Sequence, residues 1–140
     1  MIRVLLDTNI VLDALLDRAP WNADARAIWE AQLGGRLAAH VTASSLTDVF
    51  YVARRHAGRD RAWLAIRACL DQLHVIALGI NELREALQMP GNDFEDNVQT
   101  ACAMAAEVDA IVTRDLAGFL SSQIEVVSPR EILLRLAAED

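Results

Sequence analysis

Four aspartates stand where apolar runs give way to helix-opening segments, and together they could do chemistry on a phosphodiester. Asp7 directly follows Val4-Leu5-Leu6, and Asp115 closes the run Val112-Thr113-Arg114-Asp115. Asp96 lies near the start of the apolar-periodic segment before that run, and Asp48 about one turn into the segment after Leu37 to Val41. Carboxylates packed together repel, so either some stay protonated or a cation sits among them. Oxygen-rich sites of this kind suit hard cations such as Mg²⁺ or Mn²⁺. Such an ion can hold a water for attack at phosphorus and stabilise the charge of the in-line transition state and leaving oxygen. That chemistry needs no cysteine or histidine, and His40, His56 and His74 lack the spacing of a catalytic triad.

Taken singly, each acid has a plainer reading. Asp7 could cap a helix, Asp96 could complement a helix dipole, Asp115 could sit in a turn, and Asp48 could be an exposed helix residue. Asp93 and Glu95 read as solvated loop or first-turn acids. The chemical reading rests on where the four aspartates fall together.

The elements that must position them follow from periodicity. Val4 to Leu6, Leu37 to Val41, Val75 to Leu78, Ala110 to Thr113 and Glu125 to Val127 read as short buried strands. Between them, Ile10 to Leu16, Trp21 to Leu33, Thr42 to Ala57, Arg59 to Leu73, Ile80 to Met89 and Phe94 to Val108 carry helical spacing, punctuated by Gly34-Gly35, Gly58 and Pro90-Gly91. Ser128-Pro129-Arg130-Glu131 opens a last helix with a serine cap, proline in the first turn and glutamate at the third position. Strands separated by helices imply crossovers, and hence an α/β fold: a mainly parallel sheet of about five strands with helices on both faces. In such sheets functional groups gather where strands end and helices begin. Asp7 and Asp115 should therefore meet at one edge, with Asp48 and Asp96 near helix starts facing it.

Composition narrows the classes. The 140 residues, 1–140, read as one domain with a real core; 54% are hydrophobic and 24% charged, which excludes a disordered chain. No run approaches the ~20 apolar residues of a membrane span, and the N-terminus shows no signal-peptide pattern, so a cytoplasmic protein is expected. Cys69 and Cys102 lie in apolar helical segments and read as reduced, buried thiols. Arginine supplies all 13 basic residues against 20 acids, for a net charge of −7. The absence of lysine excludes P-loop, Schiff-base and lysine-base chemistry, and with it a phosphoacceptor switch domain. Asn9, two residues after Asp7, stands where a haloacid-type phosphatase needs a second aspartate. A nucleic-acid partner would have to be met by a local basic patch, and Arg54, Arg55, Arg59, Arg61 and Arg67 form the densest one. Trp21 and Trp29 share one helical segment and read as core or dimer packing.

Three motifs, in order, resemble the PIN-domain nucleases over essentially the whole chain. Leu5-Leu6-Asp7-Thr8-Asn9-Ile10 is similar to that family's opening signature. Asp93-Phe94-Glu95-Asp96-Asn97-Val98-Gln99 is similar to its acidic helix start, and Val112-Thr113-Arg114-Asp115 followed by Phe119 to its last acidic motif. The resemblance implies that Asp7, Asp96 and Asp115 ligate Mg²⁺ or Mn²⁺, that Thr8 and Asn9 shape the end of the first strand, and that Thr113 supports the last motif through its hydroxyl. Asp93 and Asp96 compete for one ligand position; the apolar helical face begins directly after Asp96, which favours it. Where the family places a glutamate in the helix after strand two, this chain offers Asp48. Small PIN proteins of this size resemble the VapC-type toxins of toxin–antitoxin pairs, which implies an RNA substrate, a homodimer and an antitoxin partner lying over the acidic site. A catalytically inactive PIN fold used as a binding module is the alternative.

Overall fold

The alternation of short apolar strands and amphipathic helices is realised in the computed structural model, which describes residues 1–119 and 122–139. The order is β1 (Ile2–Leu6), α1 (Thr8–Leu15), α2 (Asn22–Leu33), β2 (Leu37–Thr42), α3 (Ala43–Ala57), α4 (Arg59–Gln72) and β3 (His74–Ile76). Then come α5 (Ile80–Gln88), α6 (Phe94–Ala105), β4 (Ala110–Val112), a short 3₁₀ turn (Leu116–Phe119), β5 (Glu125–Val127) and α7 (Pro129–Glu139). The five strands pair in parallel in the order β3-β2-β1-β4-β5. The expected α/β architecture is therefore what the chain adopts, with β1 at the centre of the sheet.

Side chains alternate across a strand, so each strand feeds two cores. On one face Val4 and Leu6 of β1, Leu37, Ala39 and Val41 of β2, and Val112 of β4 pack with Ile10, Ile28, Val49, Ala65 and Ile132 from α1, α2, α3, α4 and α7. On the other, Leu5 and Ile111 pack with Ala103 and Phe119, while Ala86, Val98 and Cys102 join α5 to α6. Burying each such aliphatic side chain contributes roughly 1.5–3 kcal/mol relative to exposure. Among the described residues, no helix is long and apolar enough to cross a membrane. Cys69 and Cys102 are free and buried, and burial pushes their thiols up to about 12 and about 11.

Element ends shift from the sequence reading for local reasons. Asp7 has extended backbone geometry and caps α1, so that helix starts at Thr8, two residues early. Glu107 takes a positive φ of 55°, which stops α6 at Ala105 rather than Val108. The third strand is His74–Ile76 rather than Val75 to Leu78. Trp21 precedes α2 instead of lying inside it, and is 44% exposed, whereas Trp29 is in the core and donates its indole N–H to Gln72 Oε1 at 2.7 Å.

Candidate active site

The parallel ladder brings the C-terminal ends of β1 and β4 side by side, with Leu6 paired to Val112 and the Asp7 amide donating to the Val112 carbonyl at 3.0 Å. Asp7 is thereby nearly buried, at 8% exposure, and its carboxylate is held from three directions. Oδ1 accepts from the Thr8 amide at 2.8 Å and from Gln99 Nε2 at 3.0 Å. Oδ2 accepts from the Thr113 hydroxyl at 2.8 Å. A carboxylate offers about four lone-pair positions, so one, on Oδ2, is left to face the site. Asp7 is the helix cap of its plainer reading and also a fixed carboxylate with one position open.

Thr113 couples the two strand ends. Its hydroxyl donates to Asp7 and accepts from the Asp115 amide at 2.9 Å. Asp115 is exposed, and its Oδ1 accepts from the Gly118 amide at 3.2 Å. A Cβ at Gly118 would lie 2.8 Å from both Asp115 Oδ2 and Asp96 Oδ2, so a side chain there would push the two carboxylates aside. The bare glycine is what lets these two carboxylates close on the same spot.

Asp93 and Asp96 separate by role. Asp93 caps α6, accepting from the Asp96 amide at 3.0 Å, and this places Asp96 in the first helical turn, turned toward Asp115. Asp48, exposed in α3, stands near Glu95 across the site. Burial first, then Asp48, Asp7 and Asp93, push the Glu95 carboxyl above its ordinary value.

Thr8 turns to the other side, donating to Ser45 Oγ at 2.8 Å, and Ser45 Oγ in turn bonds Thr42 Oγ1 at 2.9 Å, tying α1 to the start of α3. Asn9 is exposed and bound to Arg18. Its backbone and side-chain oxygens accept from Arg18 at 3.3 and 3.1 Å. Arg54 and Arg55 lie in the last turn of α3, exposed and apart from the carboxylates.

Three features carry no local signal in the sequence. Glu95 sits among acids at a helix start, where solvation is the ordinary expectation, and only the approach of α3 brings Asp48 to it. Gln99, 1% exposed, orients Asp7, and its Oε1 is the buried side-chain polar atom without a hydrogen-bond partner among the described residues. The third is a buried ion cluster. Asp13, fully buried, accepts from Arg18 at 2.9 Å and from Arg114 at 2.7 and 3.2 Å, and the Arg114 guanidinium stacks on Trp21 at 3.7 Å. Arg114 thus pins the segment between Thr113 and Asp115 to α1.

None of Asp7, Asp48, Glu95, Asp96 and Asp115 is in an ion pair among the described residues. Burial, with Asp93, Asp7, Glu95 and Asp115 around it, pushes the Asp96 carboxyl up to about 7 from an ordinary 3.8. Among the described residues no three His, Cys, Asp or Glu side chains already converge as a ready-made metal site. The donor set nonetheless fits a hard cation: carboxylate oxygens only, with unneutralised charge and no cationic side chain among them.

The raised Asp96 has a consequence for stability. Between about pH 4 and pH 7 the folded chain holds a proton that the unfolded chain has released, so stability falls as pH rises through that window. Thermal melts in EDTA should show a lower Tm at pH 7.5 than at pH 5, a flatter profile for Asp96→Asn, and recovery at pH 7.5 when Mg²⁺ or Mn²⁺ is added. An Asp96→Asn profile parallel to the parent's would show that Asp96 is not the titrating group.

Comparison with known proteins shows where this arrangement belongs. Among solved structures, DNA-bound VapBC from Salmonella typhimurium matches with a TM-score of 0.70 and 16% identity, over 92% of this chain and 99% of that one. A toxin–antitoxin complex from Klebsiella pneumoniae matches at 0.67 and 20%, over 90% and 97%. A VapC toxin of Mycobacterium tuberculosis, described as cleaving the sarcin-ricin loop, matches at 0.64 and 12%, over 77% and 86%. These likenesses show a shared fold. A search of curated protein sequences finds no match. A PIN domain profile matches residues 3–117, spanning the strands and helices that carry Asp7, Asp48, Asp96 and Asp115, and the chain belongs to the PIN domain family.

Proposed function

We propose that this protein is a divalent-metal-dependent endoribonuclease, a single-domain toxin of a toxin–antitoxin pair that works in the cytoplasm as a homodimer. The observation that carries the reading is the gathering of unpaired carboxylates at the C-terminal edge of a parallel sheet, with Asp7 fixed by three donors and Asp96 facing Asp115 over Gly118. Asp7, Asp96 and Asp115 would hold Mg²⁺ or Mn²⁺, and a bound ion supplies Lewis-acid stabilisation of the charge that develops on the phosphate oxygens. Thr113 and Gln99 keep Asp7 oriented; Thr113 and the Gly118 amide keep Asp115 in place.

RNA must approach a chain of net charge −7. Arg3, Arg18, Arg26, Arg114, Arg130 and Arg135 are engaged by protein groups, as is Arg36. Arg54, Arg55, Arg59, Arg61 and Arg67 on the α3–α4 hairpin, and Arg84 on α5, have no hydrogen bond or ion pair among the described residues. Arg59 and Arg61 stand in the first turn of α4, where a helix dipole disfavours cations. Helix stability does not account for them; phosphate contact does. The antitoxin partner is supported by the fold's likeness to toxin–antitoxin complexes. An arginine inserted by such a partner would find bidentate carboxylate acceptors.

The test is cleavage of a mixed RNA pool by folded, partner-free protein. Cleavage with Mg²⁺ or Mn²⁺ that stops in EDTA is the expected result. No cleavage with either metal across several RNA classes would overturn it.

A further inference from the structure

On α3, residues advance about 100° each, so Asp48, Tyr51 and Arg55 fall within about 60° of one another around the axis. They form a strip on the solvent side, away from Ser45, Val49 and Ala53, which are buried. The strip begins at the acid cluster, where Asp48 stands near Glu95, and rises about 10 Å along the helix to Arg55. Tyr51 is 63% exposed and stands on this strip between Asp48 and Arg55. Its ring is braced rather than loose. Phe50 packs against it edge-on at 5.8 Å and 81°, and Phe50 is itself held by Trp63 at 5.1 Å. An open aromatic face, an unpaired guanidinium one helical turn beyond it and a cleavage site one turn before it are the parts of a single-strand-binding platform.

We propose that α3 is a lane for single-stranded RNA, in which a base next to the cut phosphate stacks on Tyr51 and a neighbouring phosphate meets Arg55. This rests on the ribonuclease reading and narrows it. A base inside a duplex is already stacked on its neighbours and cannot cover a protein ring, so the lane selects unpaired nucleotides, as in loops, bulges and ends. Tyr51 acts by stacking and is indifferent to base identity, whereas Arg55 acts through charge.

The test measures binding by fluorescence anisotropy in an Asp7→Asn background with Mg²⁺, using a labelled single-stranded oligoribonucleotide, its blunt duplex, and the same strand with abasic positions. Tyr51→Ala should weaken single-strand binding about 5- to 100-fold. Tyr51→Phe should preserve it, and the abasic strand should bind the parent as weakly as the normal strand binds Tyr51→Ala. Arg55→Ala should lower the slope of log K against log salt by about 0.7, with Tyr51→Ala leaving that slope unchanged. Matching melting temperatures would establish that the variants are folded. Equal single-strand binding by Tyr51→Ala and the parent would overturn the lane, as would an equal loss on the abasic strand, which would point instead to a protein-covered face. Failure of the ribonuclease reading itself would show separately, as wild-type protein that cleaves nothing with either metal.

Discussion

Asp7→Asn is expected to lower RNA cleavage by about a hundred- to a thousandfold, the scale on which preorganised electrostatic groups contribute to catalysis, with the fold retained. Asparagine preserves the shape of the side chain and is itself a favoured helix cap, so α1 should still begin at Thr8. What changes is the oxygen set. Aspartate accepts from Thr8, Gln99 and Thr113 at once and keeps one lone pair for the site. The amide has one carbonyl oxygen, and its NH₂ must confront at least one of those three donors. Single-turnover cleavage with Mn²⁺, alongside a thermal melt, separates the effects. A folded Asp7→Asn protein that cleaves within tenfold of the parent would remove Asp7 from the centre of the chemistry.

Arg114→Ala should be the most destabilising single change near the site, by about 3 kcal/mol, as expected when one partner of a buried ion pair is removed. Asp13 is fully buried and relies on Arg114 and Arg18 to balance its charge. Arg18 alone, with one short contact at 2.9 Å, cannot replace the two-pronged grip of Arg114 at 2.7 and 3.2 Å. The loss of stacking on Trp21 adds to this. Arg114→Lys keeps the charge but not the fork, so it should fall between the two. Urea unfolding measures the difference; a change below about 1 kcal/mol would mean that Asp13 finds compensation elsewhere. The Asp115 segment would also loosen, so cleavage should fall in the Arg114 variants even at temperatures where they remain folded.

Legibility in the sequence followed the range of each interaction. An apolar run ending in an acid, a serine three residues before a glutamate, and a glycine after a helix are local signals, and they gave the strands, the α7 cap and the sheet's direction. Ser128 does accept from the Glu131 amide, at 3.2 Å. The choice between Asp93 and Asp96 was half legible: the sequence marks where the apolar face starts, but the bond that makes Asp93 the N-terminal cap of α6 belongs to the fold. Glu95 was hidden because acids at a helix N-terminus need no further reason to be there. Gln99 and the Asp13–Arg114 pair were hidden by distance along the chain: Gln99 lies 92 positions from Asp7 and Arg114 lies 101 from Asp13. Trp21 and Trp29 looked alike by spacing, yet one packs in the core while the other lies over a guanidinium.

The place of β4 in the sheet order has a consequence for how the protein is made. In chain order β1 is separated from its partner on the side of the acids, Ala110–Val112, by β2, β3 and six helices, all of which are made before the pair can form. A nascent chain that ends before that strand already carries Asp7, Asp48 and Asp96, yet has neither Thr113 to orient the first nor Asp115 to face the last. The acidic centre therefore comes into being only when β4 joins the sheet, and every stretch of chain before it leaves the acids without their fixed arrangement.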